Sequence, residues 1–190
     1  SETVTGKGQN SINPEDWATI IFTSGSTGSP KAVVHSLANH FYNSLGANER
    51  MPLNPGDRWL LSLLMYHVSG LAILFRTLLS GAAMVIPAKK VSLSKTLLRQ
   101  SVTHLSLVPT QLRRLLQTTK GKDALCQLKL ILLGGASIPE TLLEQSAQLG
   151  LNVQTTYGST EMASQVATGK SGIYQVLPFR EVRIAADNEV

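Results

Sequence analysis

Thr19-Ile20-Ile21-Phe22-Thr23-Ser24-Gly25-Ser26-Thr27-Gly28-Ser29-Pro30-Lys31-Ala32-Val33-Val34 is the stretch that decides how the rest of the chain is read. Apolar, β-prone residues run up to Phe22 and resume at Ala32, so two strands flank a loop of small hydroxylated residues that closes on a lysine. Gly25 and Gly28 allow backbone angles that a Cβ forbids, which lets the loop fold into a concave nest of N–H groups. Thr23, Ser24, Ser26, Thr27 and Ser29 add hydroxyl donors, and Lys31 adds a mobile point charge. Such a set suits a polyphosphate. A Walker loop needs Gly-Lys-Ser/Thr in direct succession and a helix after it, but Ser29-Pro30 separates Gly28 from Lys31 and a strand follows. Gly25-Ser26-Thr27-Gly28 also lacks the Gly-x-Ser-x-Gly of a nucleophile elbow. A flexible Gly/Ser turn closing a hairpin is the plain alternative.

A chain of 190 residues can bury one sizeable core, and 43% hydrophobic residues is a globular value. The net charge of +5 comes without a dense Lys/Arg run or many aromatics, which fits an anionic small ligand and argues against nucleic acid. Cys126 is the only cysteine, so no internal disulfide can form, and the cytoplasm is the expected location. No secretory signal opens the sequence, and the most apolar region, 60–75, is broken by Ser62, His67, Ser69 and Gly70, which argues against a membrane span. Both ends read as cuts within a longer protein, and nothing fixes an oligomeric state.

Residues 1–16 read as a polar lead-in and 17–162 as an α/β core. After the hairpin, Ser36 is placed to cap a helix to about Asn48. Strands are expected at 59–64, 82–86, 104–108, 128–133 and 153–156, alternating with helices at 71–79, from Ser92 or Ser94 to 101, at 109–117 and at 139–149. Such alternation predicts a doubly wound, mostly parallel sheet with helices on both faces. Beyond Gly158 the pattern changes to short strands at 165–167 and 181–185, read as the truncated start of a smaller β subdomain over 163–190.

In an open α/β sheet, ligands gather beyond the carboxyl ends of the strands. Three further stretches fall there. Met65-Tyr66-His67-Val68-Ser69-Gly70 offers His67, and nine residues on, Arg76 sits among Leu71 to Leu79, where its guanidinium must either snorkel to water or meet an anion. Leu133-Gly134-Gly135-Ala136-Ser137 offers paired glycines that permit close approach of a flat ligand, or an ordinary strand-to-helix turn capped by Ser137. Thr155-Thr156-Tyr157-Gly158-Ser159-Thr160-Glu161 offers an aromatic face, hydroxyls and a hard oxygen donor of the kind Mg²⁺ prefers, or a polar turn with an exposed acid.

Taken in order, the four stretches resemble the core motifs of the adenylate-forming superfamily: acyl-CoA synthetases, luciferases and the adenylation domains of peptide synthetases. The resemblance covers nearly the whole chain and implies a core fragment of the large N-terminal domain of such an enzyme. It implies ATP and Mg²⁺ as cofactors and coenzyme A as a substrate. Thr23, Ser24, Gly25, Ser26, Thr27, Gly28 and Lys31 would cradle the phosphates. Gly134, Gly135, Ala136, Thr156, Tyr157, Gly158, Ser159 and Thr160 would line the nucleotide site, with Tyr157 on adenine and Thr160 at the α-phosphate. Glu161 would hold the metal, and Lys31, His67 and Thr160 would carry the catalytic roles. His67, Ser69, Arg76 and Gly135 would hold the acid.

Within the superfamily, Leu61-Ser62-Leu63, His67-Val68-Ser69-Gly70, Leu107 to Leu112 and Leu132 to Ala136 are similar to the o-succinylbenzoate–CoA ligases of menaquinone biosynthesis. Arg76 falls where those ligases place an arginine for the second carboxylate of the substrate. Met65-Tyr66 and Ser159 depart from the usual pattern. A ligase for another aryl or fatty acid, and a nucleotide-binding module without catalysis, are the alternatives. The ribose-binding acid, the hinge and the adenylation lysine of the superfamily are expected downstream of residue 190, so little complete activity is expected of this segment alone.

Overall fold

The computed structural model describes residues 12–23, 30–170 and 172–183. Strands β1 (Trp17–Thr23) and β2 (Lys31–Ser36) form an antiparallel hairpin whose register sets Thr23 opposite Lys31. The expected hairpin is therefore present; residues 24–29, on which the expected anion loop falls, lie outside the described residues. Ser36 then caps α1 (Leu37–Arg50): its Oγ accepts from the Asn39 amide at 3.3 Å, and Asn39 Oδ1 accepts from the Ser36 amide at 2.9 Å.

The rest of the chain builds one seven-stranded sheet. In chain order its elements are β3 (Arg58–Leu60), α2 (Val68–Ser80), β4 (Ala83–Val85), α3 (Leu93–Arg99), β5 (His104–Leu107), α4 (Pro109–Leu116), α5 (Thr119–Cys126), β6 (Leu130–Leu133), α6 (Glu140–Gln148), β7 (Val153–Ser159), β8 (Ser164–Lys170) and β9 (Ile173–Val176). Across the sheet the order is β4-β3-β5-β6-β7-β8-β9. The pairings from β4 through β7 are parallel, and β7–β8 and β8–β9 are antiparallel. From β3 the chain moves outward to β4, then returns to the other side of β3 for β5. That reversal opens a crevice at the carboxyl ends of β3 and β5.

Two cores lie on the two faces, as the period of two along a strand requires. Trp59, Leu130 and Leu132 pack with Ala47 of α1 and Ile73 of α2 on one side. Leu60, Leu105, Ile131 and Leu133 pack with side chains of α3, α4, α5 and α6 on the other. At the start of the sheet Asp57 is 97% buried and takes Lys129 Nζ at 2.8 Å. Burial alone would raise its carboxyl, but Lys129 and the Asn54 amide outweigh this and hold it below the usual range.

Several boundaries differ from the sequence-based expectation. The apolar run 59–64 is a strand only to Leu60; Leu61 donates to the Val85 carbonyl and Ser62 to that of Leu60, turning the chain across the end of the sheet. Helix α2 starts at Val68 rather than Leu71 and ends on Gly81, whose φ of 68° is left-handed. Helix α5 was not expected: Thr118 caps it by accepting from the Gly121 amide at 3.1 Å. Strand β7 continues through Tyr157 to Ser159 because β8 pairs with it there, so the turn lies at 160–163 and not at Tyr157. The elements expected as a separate small subdomain, β8 and β9, extend the same sheet. Among the described residues no strand occurs over 181–183. No helix among them is long and apolar enough to cross a membrane.

Candidate nucleotide and acid site

The carboxyl ends of β6 and β7 border a cavity of about 840 Å³ lined by Gly135, Ala136, Thr156, Tyr157, Gly158 and Val182, among others. Tyr157 lines this cavity and is half exposed. The expected paired glycines are both needed, though not for the same reason. A Cβ on Gly134 would stand 2.4 Å from Thr156 Cγ2 and 2.9 Å from the Thr156 carbonyl oxygen, so Gly134 lets β6 approach β7 rather than a ligand. Gly135 has φ of +82°, and its Cβ would meet only Val108 Cγ1 at 3.4 Å, so its conformation is what demands glycine. Gly134→Ala is accordingly expected to cost about 1–3 kcal/mol, read as a lower urea midpoint, because β7 must shift to admit the methyl group.

Gly135 and Thr156 also line a second, tighter cavity of about 70 Å³ at the β3/β5 crevice, with Ser69, Arg76, Ser106 and Gly134. Here the chain answers the question raised by Arg76. Its side chain does not snorkel: Arg76 is only 2% exposed. The guanidinium carbon lies 5.3 Å from the ring centre of Trp59, which Ser106 Oγ holds by accepting from the indole N–H at 3.1 Å. The Arg76 Nε finds no acceptor, and among the described residues no carboxylate pairs with this cation. Burial, and then the charge of Arg180, push its pKa down to about 9. A buried cation whose Nε–H has no acceptor among the described residues, lining a small and mostly apolar cavity, can receive an anion there.

His67 is the N-cap residue of α2 and is exposed, its ring 4.6 Å from that of Tyr66. Its side chain makes no cap hydrogen bond. Ser69 is one of the residues lining the cavity with Arg76. Thr23 and Lys31 face one another across the hairpin. By strand alternation Thr23 shares a face of β1 with Thr19 and Ile21, and Lys31 shares a face of β2 with Val33 and His35. That face points toward the 160–163 turn, because His35 Nε2 lies 2.6 Å from the Thr160 carbonyl oxygen. Glu161 is exposed and lines a third cavity, of about 550 Å³, with Asn43, Met162 and Arg180.

Thus Gly134, Gly135, Ala136, Thr156, Tyr157 and Gly158 converge with Ser69 and Arg76 on two adjoining cavities. Ser159 and Thr160 carry the chain from there to Glu161, whereas Lys31 and His67 line none of these three cavities. Residues 24–29 lie outside the described residues, Ser24, Gly25, Ser26, Thr27 and Gly28 among them. The described residues contain no group of three His, Cys, Asp or Glu that could cage a metal. One exposed carboxylate near a phosphate site is nonetheless what Mg²⁺ uses when the substrate supplies the other oxygens, so Glu161 fits that ion. The reading from sequence missed His35, His40, Thr19 and Asn43, which tie the hairpin and α1 to the turn. The signal present was the two-residue spacing that puts His35 on the Lys31 face.

Known proteins share this arrangement. A 2-succinylbenzoate–CoA ligase of Salmonella typhimurium is 44% identical over 181 residues, covering 93% of this chain and 38% of that enzyme. The solved structure of wild-type Escherichia coli MenE with a bound m-phenylether-linked analogue of OSB-AMS superposes with a TM-score of 0.81 at 38% identity, over 92% of this chain and 38% of that one. The o-succinylbenzoate coenzyme A synthetase (MenE) of Bacillus subtilis, in complex with ATP and magnesium ion, gives 0.80 at 31% identity, over 94% and 39%. The chain therefore spans under half the length of these relatives. Residues 2–188 match the model of the AMP-binding enzyme family, and with the fold and the site in agreement the chain belongs to that family.

Proposed function

We propose that this chain is the nucleotide- and acid-binding core of an AMP-forming acid–CoA ligase whose acid is an aryl dicarboxylate, with o-succinylbenzoate the best candidate. The observation that carries the reading is Arg76: a buried cation without a counter-ion among the described residues, in a cavity that shares Gly135 and Thr156 with the larger one. A dicarboxylate needs two anion sites, one for the group that reacts and one for the tail, and Arg76 supplies the second.

In the reaction proposed, a carboxylate oxygen attacks the α-phosphorus of ATP, and the bond to the bridging oxygen breaks to release pyrophosphate. The sulfur of coenzyme A then attacks the acyl carbon, and AMP leaves. Because two anions meet in the first step, alignment and charge neutralisation are the main tasks of the protein. Tyr157 offers a face for the adenine, Gly135 a close backbone approach, Thr160 a hydroxyl for the α-phosphate, and Lys31 a charge for the departing phosphates. His67 flanks the reacting carboxylate at the rim. Mg²⁺, held at Glu161, would neutralise phosphate charge.

The test is pyrophosphate release by the full-length protein over a panel of carboxylic acids. An aryl dicarboxylate is expected to give the highest kcat/KM, and Lys31→Ala is expected to lower kcat by about 10²-fold. Release with no acid in the panel, alongside measurable Mg·ATP binding, would leave a binding module. A preference for monocarboxylates would leave a ligase of another specificity. A cytoplasmic location is part of the proposal and is supported by the single cysteine, Cys126.

A further inference from the structure

We infer that His35 is a positioning residue: it holds the turn carrying Thr160 and Glu161 against the β1–β2 hairpin, so that the lysine side and the carboxylate side of the phosphate site are set by one chain of hydrogen bonds. The inference rests on the proposed roles of Lys31 and Glu161 and extends them to a residue outside the site.

The geometry fixes the direction of the last bond in that chain. His35 Nε2 lies 2.6 Å from the Thr160 carbonyl oxygen, and a carbonyl only accepts, so Nε2 carries a proton. His35 Nδ1 faces Thr19 Oγ1 at 3.3 Å, and the same Oγ1 lies 2.8 Å from His40 Nε2. His40 is buried against Phe75, ring on ring at 4.5 Å, and burial, with His35 nearby, lowers its pKa to about 4, so it is uncharged at neutral pH. One arrangement satisfies every contact: His40 Nε2 donates to Thr19, Thr19 donates to His35 Nδ1, and His35 Nε2 donates to the Thr160 carbonyl. The chain of donors starts on α1, crosses both strands of the hairpin and ends on one backbone oxygen 125 residues from His35.

The turn needs such a hold. The pairing of β7 with β8 stops at Ser159 and Ser164, leaving 160–163 without strand partners. Ala163 and Ser164 have φ of 54° and 117°, consecutive non-glycine residues in a region that side chains disfavour. Backbone of this kind persists where its surroundings over-determine it. Thr160 O is the oxygen that closes the turn, accepting from the Ala163 amide at 3.0 Å as well as from His35. Asn43 grips the other side, its Nδ2 donating to the carbonyls of Met162 at 2.9 Å and Gln165 at 3.1 Å. Glu161 is thus suspended between two side chains, one from β2 and one from α1, and His35 occupies the same face of β2 as Lys31.

Amide hydrogen exchange and ATP binding in the full-length protein test this. In His35→Ala, exchange in a peptide spanning 159–164 is expected to rise about tenfold. The Mg²⁺ concentration needed for half-maximal ATP binding is expected to rise by about the same factor. His35→Gln, whose amide can donate from near the Nε2 position, is expected to stay within about threefold of the wild type in both. Thr19→Val leaves His35 in place but breaks the chain behind it; a smaller rise of about threefold is expected, and it serves if His35→Ala does not fold. Unchanged exchange at 159–164 in both His35→Ala and Thr19→Val would overturn the inference, as would His35→Gln behaving like His35→Ala. If wild-type ATP binding does not depend on Mg²⁺, the metal role of Glu161 falls, and the exchange data still decide on His35.

Discussion

Arg76→Met is expected to make the protein more stable and a much poorer catalyst for a dicarboxylic acid. The two effects have one cause. The guanidinium is 98% buried, its Nε has no acceptor, and the nearest charged group named by its lowered pKa is another cation, Arg180. Desolvation is therefore offset only in part, by the Trp59 ring 5.3 Å away. Replacing such a charge by an apolar side chain of similar length stabilises by roughly 1–4 kcal/mol, seen as a raised urea midpoint in the absence of substrate. Once a carboxylate enters, the account reverses. Loss of a desolvated charge pair costs about 2–5 kcal/mol, so kcat/KM for the dicarboxylate should fall by roughly 30-fold to several thousand-fold. An analogue lacking the tail carboxylate never made that pair, and its kcat/KM should change little. Equal losses for both acids in Arg76→Met would remove the tail-binding role, and a lowered urea midpoint would mean that Arg76 is paired in the folded protein.

The parts of this fold that could be read from sequence are those where local chemistry and tertiary packing agree. Ser36 is a strong helix cap by composition and makes both bonds of a capping box. Gly81 and Gly150 end their helices with φ near +68°, as glycine allows. The alternation of short apolar runs with helices gave the parallel sheet because a strand buried on both faces leaves no other pattern; Leu130 to Leu133 send side chains to both cores. Reading failed where partners across the sheet, rather than local residues, decide. Tyr157-Gly158-Ser159 has the composition of a turn, yet β8 pairs with it and keeps it extended. Leu61 to Leu64 has the composition of a strand, yet β3 ends at Leu60 and the segment closes the crevice instead.

The site divides in the same way. Residues that line the two adjoining cavities fall in short ordered stretches singled out in the sequence. Whether Arg76 reached water or was sealed in could not be read there, because it depends on Trp59 and Ser106, which come from two other strands. Gly134 and Gly135 looked alike in sequence and differ in cause, one answering to Thr156 and the other to its own φ. The supports of the Glu161 turn were illegible because each is a single polar residue, His35 or Asn43, within an otherwise ordinary strand or helix. Only the register of β1 on β2, and of both on α1, shows that they meet one turn.

The same buried histidines predict a steep acid limb. The His40 pKa is lowered from 6.5 to about 4, chiefly by burial, so between those values the unfolded chain binds a proton that the folded chain refuses. Stability then rises with pH across that window: the contribution is complete above about pH 6.5 and is lost as pH falls toward 4. The shift corresponds to roughly 3 kcal/mol, a large fraction of the stability of an ordinary domain. His104, also lowered chiefly by burial, adds to the loss with the same sign. Asp57, held low by Lys129, adds a further loss only below about pH 3.8, where its unfolded counterpart is already protonated. Urea unfolding at pH 7, 5.5 and 4.5 should show the free energy falling through this range. In His40→Gln, which keeps a side-chain amide but cannot take up a proton, the fall should be shallower by most of the His40 share. An equally steep fall in that variant would mean that His40 titrates normally in the folded protein.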